Sequence, residues 1–188
     1  MFQHPDPKGE IERLLASVAA QPERTHVIGA YALGKAQRVI RLIREAGHDA
    51  PIYLHGAQEK LCAYYAGEGI DLGELRKALD RDKAEFRGHI VIAPPSALRD
   101  RWSRRLADPV VCQASGWMTI RQRAKQSGVE LPLVISDHAD WNELTATIGA
   151  TGAETVWVTH GREEALVHWC RQRGLKAEPL YMLSLIHI

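Results

Sequence analysis

His89-Ile90-Val91-Ile92-Ala93-Pro94-Pro95-Ser96 is the stretch that decides the fold class. An unbroken apolar run of this length, closed by two prolines that supply no N–H to a ladder, reads as a strand buried on both faces. Ser96 then offers an N-cap to a helix running to residue 105. Moving outward in both directions, further strands are predicted over 25–31, 51–54, 109–112, 131–135 and 155–158. Helical spacing fills the intervals. Residues 8–21 repeat apolar side chains at Ile11, Leu14, Leu15 and Val18. Residues 34–46 turn Val39, Ile40, Leu42 and Ile43 inward and Arg38, Arg41 and Arg44 outward, with Gly47 as the stop. Shorter helices are predicted over 58–65, 72–79, 118–126, 141–148 and 163–173. Strands separated by helices of this kind imply an α/β fold built on a parallel sheet covered on both faces.

Length and composition fit this reading. The 188 residues are 45% hydrophobic and 25% charged, which suits one good-sized core or two small ones and excludes a disordered chain. Twenty-four Lys and Arg against 23 Asp and Glu leave a formal charge of +1, so any case for a nucleic-acid or membrane partner rests on local patches. Cys62, Cys112 and Cys170 are far apart and form no C-x-x-C pair, which argues against a disulfide framework and a thiolate zinc site and fits a reducing cytosol. No leader pattern opens the chain, and no apolar run nears the roughly 18 residues of a membrane span. The chain enters helix within its first residues and stops on the apolar tail 183–188, so truncation at the start and foreign sequence at the end are expected.

Ligands of parallel sheets gather at the carboxyl ends of the strands, and four junctions there carry polar residues. Gly29 to Lys35 is a strand, a glycine turn and a helix start bearing a lysine, the logic of a phosphate site although not a P-loop. His55-Gly56 follows the second strand, and His55 reads as a structural loop residue. In Ser136-Asp137-His138-Ala139-Asp140, Asp140 with Glu143 makes a capping box, whereas His138 has no such structural task. His160-Gly161 closes the strand 155–158 and brings a second imidazole, a zinc ligand or a proton donor near neutral pH. Basic clusters at Arg99, Arg101, Arg104 and Arg105, and at Arg121, Arg123 and Lys125, read first as solvated helix faces and second as a nucleic-acid surface.

Taken in order, Ala30-Tyr31-Ala32-Leu33-Gly34-Lys35-Ala36-Gln37, Ser115-Gly116-Trp117-Met118, Ser136-Asp137-His138-Ala139-Asp140 and Thr159-His160-Gly161 resemble the β-CASP branch of the metallo-β-lactamase nucleases. Within it they are most similar to the bacterial ligase-associated DNA exonucleases, over essentially all of residues 2–182. The resemblance implies an N-terminally truncated β-CASP domain over 1–130, the C-terminal part of a metallo-β-lactamase domain over 131–182, and a non-native tail at 183–188. It implies that His138 transfers a proton beside the scissile phosphate and that His160 binds one of two zinc ions. Gly34 and Lys35 would face the nucleic-acid backbone, and Ser115 and Gly116 would line the cleft.

The activity implied is zinc-dependent hydrolysis of DNA phosphodiesters, exonucleolytic, in cytoplasmic repair beside a DNA ligase and a helicase. The family's H-x-H-x-D-H motif, its further histidine, its bridging aspartate and its first acidic β-CASP residue have no counterpart here. The chain alone is therefore expected to be inactive and to bind zinc poorly. Two other readings stand beside this one: an RNA-processing nuclease of the same branch, and a non-catalytic α/β module holding a phosphorylated ligand at Gly34.

Overall fold

A computed structural model describes residues 3–160 and 163–180; Gly161 and the tail 183–188 lie outside the described residues. The chain divides into two compact units, 4–138 and 139 onward, with Gln3 belonging to the second.

The first unit opens with α1 (Pro7–Ala20), capped by the Asp6 side chain and carrying Pro7 where a helix needs no N–H. Then follow β1 (Thr25–Gly29), α2 (Lys35–Glu45), β2 (Ile52–Leu54), α3 (Gly56–Gly67), β3 (Leu75–Lys77), β4 (Ile90–Ala93), β5 (Pro109–Ala114), α4 (Arg121–Gln126) and β6 (Leu131–Leu133). The sheet order is β3-β2-β4-β1-β5-β6, and every ladder is parallel. Parallel strands must be buried on both faces, and β1, β2 and β4 are buried at every position. One face packs Ile28, Ile90, Ile92 and Cys112 with Leu14, Val39, Ile40 and Cys62 of α1, α2 and α3. The other packs Val27, Tyr53 and Val91 with Phe86, Ala97 and Leu106 from the irregular segments.

Three expectations fail here. Residues 72–79 form no helix; Leu75–Lys77 within them is the edge strand β3. Gly73 sits at φ 64°, outside the helical region, and the Arg44 guanidinium donates to the carbonyls of Leu72 and Glu74, fixing the segment as extended chain beside β2. Residues 96–105 form two 3-10 turns, Pro95–Arg99 and Arg101–Arg105, because Asp100 is extended and caps the second turn itself. Likewise Met118 falls in a 3-10 turn, Gly116–Thr119, and α4 starts after it. Arg38 and Arg41 of α2 are exposed as expected and Arg44 is half-buried, and each also donates to backbone carbonyls: Arg38 to Ser136 O, Arg41 to Asp71 O, and Arg44 to four.

The second unit contains α5 (Trp141–Thr151), β7 (Thr155–Val158), α6 (Glu163–Gln172) and β8 (Lys176–Pro179). Asp140 and Glu143 form the expected capping box, and Gly152 ends α5 in the left-handed conformation. β7 and β8 pair in parallel as a two-stranded sheet. Val158, Val167, Cys170 and Ala177 form its small core. The unforeseen strand is β8. All three cysteines are free and buried.

Among the described residues no helix is long and apolar enough to cross a membrane.

Candidate functional site

Because all six strands of the first unit run in one direction, their carboxyl ends share one edge. There the connections of the adjacent strands β1 and β5 diverge, β1 leading by way of α2 toward β2 and β5 toward β6. Such a divergence opens the crevice in which parallel sheets hold ligands. Gly34 and Lys35 follow β1 at this edge, Ser115 and Gly116 follow β5, and Ser136 to His138 follow β6.

The turn after β1 is fixed by two buried amides: Gln58 donates to Ala30 O at 2.9 Å and Gln37 to Ala32 O at 3.0 Å. Gly34 adopts φ 77°, a conformation glycine enters without a steric penalty, and starts α2 there. Lys35 does not project from the helix start. It is 3% exposed, and its ammonium lies 2.5 Å from Asp137 Oδ1 and 3.5 Å from Ile135 O.

The segment after β6 is held at successive residues. Glu10 of α1 accepts from Val134 N–H at 2.8 Å while itself bound by Arg13. Ile135 is buried, Arg38 donates to Ser136 O, and Ser136 Oγ accepts from His138 N–H at 3.1 Å. Burial pushes the Asp137 carboxyl up, but the hydrogen bond and charge of Lys35, a backbone hydrogen bond and the neighbouring His138 outweigh it and hold the group below its ordinary value. The result is a rigid backbone carrying a free ring: the His138 side chain is 88% exposed, with Nε2 at 3.7 Å from Asp137 Oδ1.

Gly116 touches this segment. A Cβ at Gly116 would stand 3.3 Å from Ser136 Cβ and Oγ and 3.0 Å from His4 Nε2, so a side chain would displace one loop from the other. Ser115 spends its hydroxyl on Trp117 N–H and its own N–H on Leu133 O, which ties the turn after β5 to β6. Of the six residues singled out from sequence, Lys35, Ser115, Gly116 and His138 therefore converge on one corner of the sheet, with Gly34 starting the helix that supplies Lys35. His160 belongs to the other unit. It ends β7 in an exposed turn at φ 67°, with Nδ1 3.3 Å from Thr159 Oγ1.

His55 is a helix cap: its Nδ1 accepts from Ala57 N–H at 3.0 Å at the head of α3, and its ring meets Trp102 edge-on. Sequence reasoning missed Glu10, Arg38 and Asp137, the groups that build the His138 corner. Only the position of Asp137 beside a strand-end histidine was a signal. Among the described residues His160 joins no group of three or more converging metal donors.

No model of a known protein family matches the chain. Over 151 residues, 80% of this chain, it is 29% identical to a protein of Opitutus terrae named "Probable DNA ligase". The chain spans 14% of the length of that relative.

Proposed function

We propose that this chain is part of a nuclease of the β-CASP metallo-β-lactamase kind, acting on DNA phosphodiesters, with His138 as the group that moves a proton at the scissile phosphate. The observation that carries the proposal is the segment 134–138, anchored by Glu10, Lys35 and Arg38 while the imidazole itself stays exposed. A loop so fixed positions a ring without consuming its nitrogens, as proton transfer requires. Asp137, held against burial below its ordinary value chiefly by the hydrogen bond of Lys35, stands 3.7 Å from His138 Nε2, where its carboxylate can orient the ring. DNA as substrate, and joint action with a ligase, are supported by the likeness to a protein named as a probable DNA ligase.

His160 enters this reading as a zinc ligand. Its left-handed backbone is a conformation that non-glycine residues hold at a cost of about 1–3 kcal/mol, and such cost concentrates at functional positions. One imidazole does not bind zinc tightly, so the metal belongs to this reading only where further ligands are supplied. The phosphate-module reading is weaker, because Lys35, the charge at the start of α2, is already bound to Asp137.

The test is made in a full-length protein carrying this sequence. His138→Ala should lower the nuclease rate about 10²-fold to 10⁴-fold with zinc content unchanged, the scale of a lost general acid. His160→Ala should lower zinc content, measured by elemental analysis, together with rate. Zinc lost from the His138 variant and kept by the His160 variant would reverse the two roles. Unchanged rates in both would end the nuclease reading.

A further inference from the structure

The first turn of α2 sends two cations to the segment that carries His138. Lys35 and Arg38 stand three residues apart and so lie on one side of the helix. Lys35 reaches Ile135 O and the Asp137 carboxylate, and Arg38 donates from Nη1 to Ser136 O. The two charges end differently. Lys35 is buried and paired with Asp137, whereas Arg38 is exposed and in no ion pair among the described residues.

The other charges that brace the segment are spent inside the protein. Glu10 is taken by Arg13 and by Val134 N–H, and Arg41, the next arginine of α2, is paired with Glu45 at 2.8 Å. Arg38 is thus left as a fixed positive charge open to solvent beside His138. Holding one carbonyl uses one N–H of a guanidinium that carries five. Ser136, 8% exposed, anchors both neighbours: its carbonyl takes the Arg38 donor, and its hydroxyl takes the His138 N–H at 3.1 Å. The guanidinium and the exposed imidazole therefore flank one fixed residue.

We infer that Arg38 is the phosphate-contacting cation of the His138 site, donating to a non-bridging oxygen and stabilising the charge that gathers there in the transition state. A planar fork of donors matches phosphate oxygens, and in phosphoryl transfer positioning and electrostatic stabilisation supply almost all of the catalysis. His138 serves the leaving oxygen, so the two side chains divide the task. The substrate rests on the nuclease reading, and the phosphate contact is tested apart from it.

The first measurement needs no turnover. Inorganic phosphate is titrated into the 188-residue chain while the His138 ring signals are followed by NMR. The signals should move along a saturable curve, and Arg38→Gln should weaken the affinity about tenfold, the scale of a lost hydrogen bond to a charged group. Arg38→Lys keeps the charge without the fork and should fall between the two. Arg41→Gln should stay within about twofold of the unaltered chain, because that charge is already paired. Gln and Lys can each donate to Ser136 O, so a purely structural Arg38 would make the two variants alike. In a full-length protein carrying this sequence, Arg38→Gln should lower kcat about 10²-fold to 10³-fold, the scale of one lost oxyanion donor. No saturable shift at His138, equal affinities of the Gln and Lys variants, or an unchanged kcat would overturn the inference. Phosphate bound as expected, with no hydrolysis by the full-length protein, would support the contact and end the nuclease reading.

Discussion

Lys35 shows how one side chain changes role once the chain is folded. At a helix start beside a glycine turn it has the composition of a phosphate contact, but its charge is spent on Asp137 inside the protein. Removing one member of a buried pair leaves the other charge uncompensated, which costs about 3–5 kcal/mol when both are fully buried. Asp137 keeps 34% of its side-chain surface, so Lys35→Met should cost less, about 2 kcal/mol in urea denaturation at pH 7. The pH dependence has a definite sign. Asp137 is held below its ordinary value, so its contribution is present above about pH 4 and fades as pH falls through the folded value. The gap between Lys35→Met and the unaltered protein should therefore narrow in acid. A gap that shows no narrowing however far pH falls below about 4 would assign the loss to packing of the lysine stem.

At the scale of elements, β1 carries a titrating group at its centre. His26 is fully buried in the sheet, with Nε2 2.8 Å from Ser17 Oγ of α1 and Nδ1 without a hydrogen-bond partner among the described residues. Burial, with help from Arg24, pushes its pKa down to about 4. The unfolded chain takes up this proton from about pH 6.5 downward and the folded chain does not, so stability is full above about 6.5 and falls as pH drops toward 4. Between pH 7 and 5 this single ring should account for about 2 kcal/mol. Denaturation of His26→Gln across that window should show a shallower decline, and an equal decline would place the acid sensitivity in His48, His55 and His89, which burial shifts in the same direction.

The same element scale shows what the sequence makes legible. β1, β2, β4 and β5 are short apolar runs between breakers, and their burial follows from their composition; β7 is as apolar but buries only Val158. Over 72–79 the leucines at 72 and 79 match a helical period, while the constraint that decides the segment comes from Arg44, about 30 residues away. β8, Lys176–Pro179, has only Ala177 to bury and gives no periodic signal. At the site, His138 was legible as an imidazole with no local task. Its supports were not, since Glu10, Lys35 and Arg38 meet residues 134–137 across about a hundred positions of chain, a distance over which local pattern carries no information.

For the whole molecule, the two units differ in what holds them. The first has clusters of twenty and eight buried apolar residues, the second only four around β7 and β8. A region of some fifty residues with so small a core among its described residues is marginal on surface-to-volume grounds, and regions of low contact density open first. Trp157, Leu144 and Leu180 are each more than a third exposed, so apolar surface in this unit stays in water. The buried thiols make the difference measurable. Cys62 and Cys112 sit in the first unit and Cys170 in the second, and burial raises all three thiols, Cys112 to about 12. None can be alkylated until its surroundings open, since the reactive species is the solvent-accessible thiolate. Each cysteine therefore acts as a clock for its own unit. Exposed to iodoacetamide at about pH 8, Cys170 should be modified first and Cys62 and Cys112 later and together, as read site by site by mass spectrometry. Simultaneous modification of all three would mean that the chain opens as one body, and the order of labelling would then report global unfolding in place of a local breathing of the strand that ends at His160.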